Sequence, residues 1–140
     1  MTSPPIVLDT NVVLDLLVFD DVAAQPLKRG LAGGRLRWLA TAAMRAELER
    51  VLGYRTIALR LARDRLAAAD VLAGFDRHAC LVAEAPPAGL RCADPDDQKF
   101  IDLAVQHQAR LLSKDRAVLS MAKRLAALSV WASPAIEFVA

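Results

Sequence analysis

Short, nearly uninterrupted apolar runs alternate with longer amphipathic stretches along the chain, and few folds accommodate that rhythm. A continuously apolar run suits a strand buried on both faces, whereas apolar residues at helical spacing suit a helix laid against it. Together they predict parallel strands joined by crossover helices. The expected strands are residues 5–9, 36–40, 80–84, 110–113 and 129–132; the expected helices are about 11–18, 22–32, 42–53, 57–76, 96–108 and 116–126. A length of 140 residues fits one domain, 1–140, and 55% hydrophobic residues supply its core. The expected fold is therefore α/β, a parallel sheet of about five strands joined by helices. Residues 85–93, with Pro86, Pro87 and Gly89, are too few to link two domains and read as a loop covering one sheet edge. The stretch from Ile57 to Leu72, studded with Arg60, Arg63 and Arg65, reads as a solvated amphipathic helix.

Composition removes several function classes. No stretch reaches the ~18 consecutive apolar residues of a membrane span, and Met1-Thr2-Ser3-Pro4 has no export-signal pattern, so a cytoplasmic protein is expected. Cys80 and Cys92 lack CxxC spacing and a nearby paired histidine, which argues for reduced, packed thiols instead of zinc ligands or a disulfide framework. A net charge of +2 says little about nucleic acid. Trp38 and Trp131 fall in expected strands and read as core, not as platforms for stacking bases.

Four acidic residues recur where strands meet helices. Asp9 closes the first apolar run, in the position where open α/β sheets bind ligands. Asp94-Pro95 reads as a helix cap followed by first-turn proline, and the register it sets places Asp97 beside Phe100, Ile101 and Ala104, with Asp102 near the opposite side. Glu47 lies at the margin of the stripe formed by Met44, Leu48, Val51 and Leu52. Asp115 follows the run Arg110-Leu111-Leu112-Ser113 and precedes another helix. Three have an ordinary explanation: helix capping for Asp115, complementing a helix terminus for Asp97, pairing with Arg45 or Arg50 for Glu47. Asp9 is harder to explain so, because Thr10 or Asn11 could cap the next helix equally well. Asp15, Asp20 and Asp21 read as surface residues.

Convergence of the four on one sheet edge changes their meaning. Two carboxylates ~4 Å apart repel by on the order of 4 kcal/mol at an effective dielectric near 20, so a cluster needs cations or retained protons. Oxygen ligands with access to water suit Mg²⁺ or Mn²⁺, and the chemistry that follows is phosphodiester hydrolysis.

These residues, in this order, resemble the PIN-domain ribonucleases, specifically the VapC-like toxin components of toxin–antitoxin pairs. The segments that carry the likeness are Val7-Leu8-Asp9-Thr10-Asn11-Val12, Met44-Arg45-Ala46-Glu47-Leu48-Glu49-Arg50-Val51-Leu52, Asp94-Pro95-Asp96-Asp97-Gln98-Lys99-Phe100-Ile101-Asp102-Leu103-Ala104 and Leu111-Leu112-Ser113-Lys114-Asp115. No single one is specific; the ordered set is. The resemblance implies a metal-binding, catalytic tetrad of Asp9, Glu47, Asp97 and Asp115, with Thr10, Asn11 and Ser113 as orienting neighbours and Asp96 as a ligand through water. It further implies a three-layer α/β/α sandwich with the parallel sheet at its centre, Mg²⁺- or Mn²⁺-dependent cleavage of single-stranded RNA, an antitoxin protein as partner, and homodimerisation. Lys114 departs from the small residue common before the last acid. Arg45, Arg50, Lys99, Lys114 and Arg116 lie near these acids in sequence and would form a basic rim for phosphates.

Rival α/β readings fit less well. A haloacid-dehalogenase-like phosphatase expects Asp where Asn11 stands, a receiver domain expects an acidic pair ahead of the first strand's end, and no glycine-rich turn follows that strand as dinucleotide binding requires. A nuclease of RNA processing outside a toxin–antitoxin pair, or a non-catalytic module on the same fold, remains the alternative.

Overall fold

The computed structural model describes residues 4–135. Five parallel strands form one sheet: β1 (Pro5–Leu8), β2 (Arg37–Ala40), β3 (Ala79–Leu81), β4 (Arg110–Leu112) and β5 (Ala132–Ser133), in spatial order β3-β2-β1-β4-β5. Ile6 pairs with Trp38 on one side and Arg110 on the other, so β1 lies at the centre. Ile6, Val7, Leu8, Leu111 and Leu112 are almost wholly buried on both faces, as their unbroken apolar run anticipates. The chain steps from β1 out to β2 and β3, then crosses back to β4 and steps out the other way to β5. Right-handed crossovers in opposite directions put helices on opposite faces. The α/β/α sandwich follows from that reversal.

Between β1 and β2 run α1 (Thr10–Leu17), a 3₁₀ turn (Val22–Ala24) and α2 (Gln25–Ala32); between β2 and β3 run α3 (Ala42–Leu52), α4 (Arg55–Arg63) and α5 (Ala68–His78). A 3₁₀ turn (Pro95–Asp97) leads into α6 (Gln98–His107), which packs on β1 and β4, and α7 (Arg116–Leu119) and α8 (Ala122–Ala126) connect β4 to β5. Phe75 meets Trp38 edge to face, ring centroids 5.0 Å apart, tying α5 to β2. No helix among the described residues is long and apolar enough to cross a membrane.

Three expectations need correction. The helix expected over 57–76 is two helices, α4 and α5. Arg65 adopts φ 55°, Leu66 N–H donates to the Leu61 carbonyl (2.9 Å), and Arg65 N–H to that of Ala62 (3.2 Å), a Schellman stop built without glycine. Asp70 then accepts the Ala67 N–H to start α5. Trp131 is 61% exposed, not core. Ser129, at φ 63°, ends α8 in the same manner, and the sheet takes up only the Trp131 carbonyl before β5 begins. Cys92 is packed as expected, but Cys80 is exposed on edge strand β3; both are free thiols.

The loop after β3 is held by two side chains of α6 and by the backbone at the start of α3. Asp102 accepts the Ala88 N–H and Gln98 grips the loop at the Leu90 carbonyl and Cys92 N–H, while Glu84 accepts the Ala43 N–H at the start of α3.

Candidate active site

In an open parallel sheet the natural crevice lies beyond the carboxyl ends of the strands, where the chain order reverses. Here that point is between β1 and β4. Asp9 leaves β1 there, and Ser113, Lys114 and Asp115 leave β4 beside it.

Asp9 is 3% exposed and does cap α1: one oxygen accepts the Val12 N–H at 2.9 Å, and the other accepts the hydroxyl of fully buried Ser113. Ser113 Oγ in turn accepts the Asp115 N–H at 3.0 Å, so one serine aligns the acids of adjacent strands. Asp115 caps α7 through the Ala117 N–H. Asp94 caps the 3₁₀ turn that precedes α6, accepting the Asp96 N–H, and that turn delivers Asp97. One Asp97 oxygen, Oδ2, is buried and has no hydrogen-bond partner. Oxygens of Asp94, Asp97 and Asp115 lie within 4.8 Å of one another. Asp94 was visible in the sequence only as a cap; that caps also converge is a fact of topology.

Burial, above all, raises the Asp97 carboxyl from 3.8 to about 7, reinforced by its hydrogen bond with Asp115 and the charges of Asp115, Asp94 and Asp9. Asp9 is also raised, chiefly by burial and further by Asp115, against the opposing effects of Ser113, the Val12 N–H and Lys114. Glu47 differs. It accepts hydrogen bonds from the Thr10 hydroxyl and from Lys99 Nζ, the latter at 2.7 Å, and an Arg50 nitrogen is 4.0 Å away.

A cavity of about 350 Å³ opens over this edge, its walls including Asp9, Thr10, Glu47, Asp96, Asp97 and Tyr54. Asp115 is not on the wall, but one of its oxygens comes within 4.8 Å of an oxygen of Asp97, which is. Asn11 and Asp96 are both exposed on the lining. Of the five cations expected at a rim, Arg50 lines the cavity and Lys99 reaches Glu47. Arg45 instead forms a two-pronged pair with Asp76 on α5, at 2.7 and 2.8 Å. Lys114 pairs with Asp15, whose side chain is only 14% exposed and so is not the surface residue expected. Arg116 is exposed. Tyr54, at 52% exposure, is an aromatic face on the cavity that helix and strand periodicity gave no reason to choose.

An unpartnered buried carboxylate oxygen amid three further acids is costly unless a cation or proton is supplied. Anionic, all-oxygen donors beside an open cavity fit Mg²⁺ or Mn²⁺ and do not fit a thiolate-preferring ion.

A family model described as "PIN domain" matches residues 5–117. The crystal structure of VapBC2 from Rickettsia felis bound to a DNA fragment from their promoter contains a chain of similar fold, with a TM-score of 0.62, 91% of this chain and 98% of that chain covered, and 13% sequence identity. No curated protein matches the sequence.

Proposed function

The chain belongs to the PIN-domain family, and from that premise we propose that it is a Mg²⁺- or Mn²⁺-dependent endoribonuclease acting on single-stranded RNA, the toxin of a toxin–antitoxin pair. The observation that carries the reading is the orphaned Asp97 oxygen within a group of acids on one cavity. Asp9, Asp97 and Asp115 would hold the ion, with Asp94 beside them and Glu47 completing the set or positioning the attacking water. When bound, a divalent ion supplies charge neutralisation at the phosphate and activation of water for in-line hydrolysis.

The protein's own contribution is positioning. Ser113 fixes the separation of Asp9 and Asp115 by bonding to both residues. Thr10 orients Glu47 from the first turn of α1. Arg50, 63% exposed, offers a guanidinium to a phosphate, and Tyr54 offers a ring face to an adjoining base. Such contacts grip any single strand and confer little sequence choice. The toxin assignment is supported by the fold shared with a chain of VapBC2, a complex bound to DNA from its promoter; an antitoxin covering the cavity is the corresponding partner here.

Purified protein with Mn²⁺ and a single-stranded RNA is expected to cut internally, and Asp9→Asn is expected to abolish cutting while remaining folded. Full activity in purified Asp9→Asn refutes the assignment. A small adjacent open reading frame whose product co-purifies and inhibits cleavage is expected for the toxin role; a nuclease without such a partner belongs to RNA processing.

A further inference from the structure

Lys99 occupies ground that the proposed chemistry needs. Its Nζ lies 2.7 Å from Glu47 Oε1 and 2.6 Å from the Asp96 carbonyl oxygen, and 5.0 Å from the centre of the Phe100 ring. The lysine side chain is 25% exposed and that of Glu47 13%, so this is no loose surface pair. The other Glu47 oxygen accepts the Thr10 hydroxyl. Every oxygen of Glu47 is thus engaged, whereas Asp97 keeps one buried oxygen with no partner. The site therefore has two kinds of acid: aspartates crowded against one another, and a glutamate already paired with an internal ammonium.

For Glu47 to serve an ion or a water activated by one, Lys99 must release it. Lysine suits that exchange: a compact charge on a flexible four-carbon stem can swing several ångströms, unlike the rigid fork of arginine. A phosphate drawn into the cavity would be its next anionic partner. Resting on the nuclease reading above, we propose that Lys99 is an exchangeable counter-ion, holding Glu47 in the metal-free protein, yielding it when a divalent cation binds, and then meeting a phosphate oxygen of the RNA. It positions Glu47 in the first state and substrate in the second.

The test titrates Mn²⁺ alone, read from the electron paramagnetic resonance of free ion at constant ionic strength, into wild type, Lys99→Met, Glu47→Gln and the double variant. Lys99→Met is expected to bind Mn²⁺ about tenfold more tightly, because a positive charge beside the ligand is gone. In the Glu47→Gln background the gain should shrink to about twofold or less, since the two residues act through one contact. With saturating Mn²⁺ and single-stranded RNA, Lys99→Met should raise KM more than it lowers kcat. Lys99→Gln gives the same reading should Lys99→Met fail to fold, and Lys99→Arg, which retains the competing charge, should show no gain. Unchanged or weaker Mn²⁺ binding by the neutral variants overturns the exchange while wild-type binding leaves the nuclease reading standing. Absence of Mn²⁺ binding in every protein overturns both.

Discussion

Replacing Asp97 with Asn should stabilise the metal-free protein at alkaline pH. Folding raises this carboxyl from 3.8 to about 7, mainly by burial. The folded state therefore binds more protons than the unfolded chain between those values, and stability falls as pH rises through that window before levelling off above about 7. At ~1.4 kcal/mol per pH unit the ceiling on this loss is about 4 kcal/mol, and water's access to part of the side chain lowers the expectation to about 2 kcal/mol. Asn copies the shape of the protonated acid and cannot ionise. Urea unfolding in EDTA should thus give wild type and Asp97→Asn similar stability near pH 4, with the variant ahead by about 2 kcal/mol near pH 8. A variant that gains nothing between those two conditions refutes the claim that Asp97 is forced to ionise against its surroundings.

Divalent ions should reverse the penalty: Mn²⁺ at a hundredfold excess over its Kd should stabilise wild type by about 2.7 kcal/mol in thermal or urea unfolding, and EDTA should remove the gain. Ser113→Ala strips a buried Asp9 oxygen of its donor and frees the Asp115 amide; a loss of about 1–3 kcal/mol in urea unfolding is expected, with cleavage reduced. Tyr54→Ala should raise KM for single-stranded RNA and Tyr54→Phe should leave it near wild type, which steady-state kinetics would settle. Arg65→Gly should stabilise by about 0.5–1 kcal/mol despite removing a side chain, because the φ of 55° between α4 and α5 favours glycine; chemical denaturation checks the sign.

The strands were legible because burial on both faces writes an unbroken apolar run into the sequence, as in Ile6-Val7-Leu8 and Leu111-Leu112. Helix ends were less so. Three αL positions that close helices are held by Arg65, Gln108 and Ser129, residues whose identity carries no stop signal. In each case the following residue bonds back to a helix carbonyl, Leu66 to Leu61, Ala109 to Ala104 and Val130 to Leu125. Leu66, Ala109 and Val130 are apolar, so the stop is written in what is buried after the turn, not in the turn residue. That is why one continuous helix was expected over 57–76, and why β5 was placed too early, with Trp131 inside.

The same division holds at the site. Asp9, Asp97 and Asp115 could be picked out because strand ends and helix starts are local features, and Asp94 was recognised as a cap for the same reason. Their convergence depends on where the sheet reverses. Since β4 lies directly beside β1, the residues leaving those strands become neighbours although more than a hundred positions separate them, and Ser113 can bond to Asp9. A carboxylate that caps a helix can therefore also belong to the cluster. Asp94 and Asp115 each spend an oxygen on a backbone N–H, which fixes the carboxylate's direction, and both still come within 4.8 Å of Asp97. Counter-ions were the least legible layer: Arg45 lies two positions from Glu47 yet reaches Asp76, while Lys99, far away in sequence, reaches Glu47. Long flexible side chains choose partners by what the folded surface offers, so the choice is made only after topology has decided which acids crowd together.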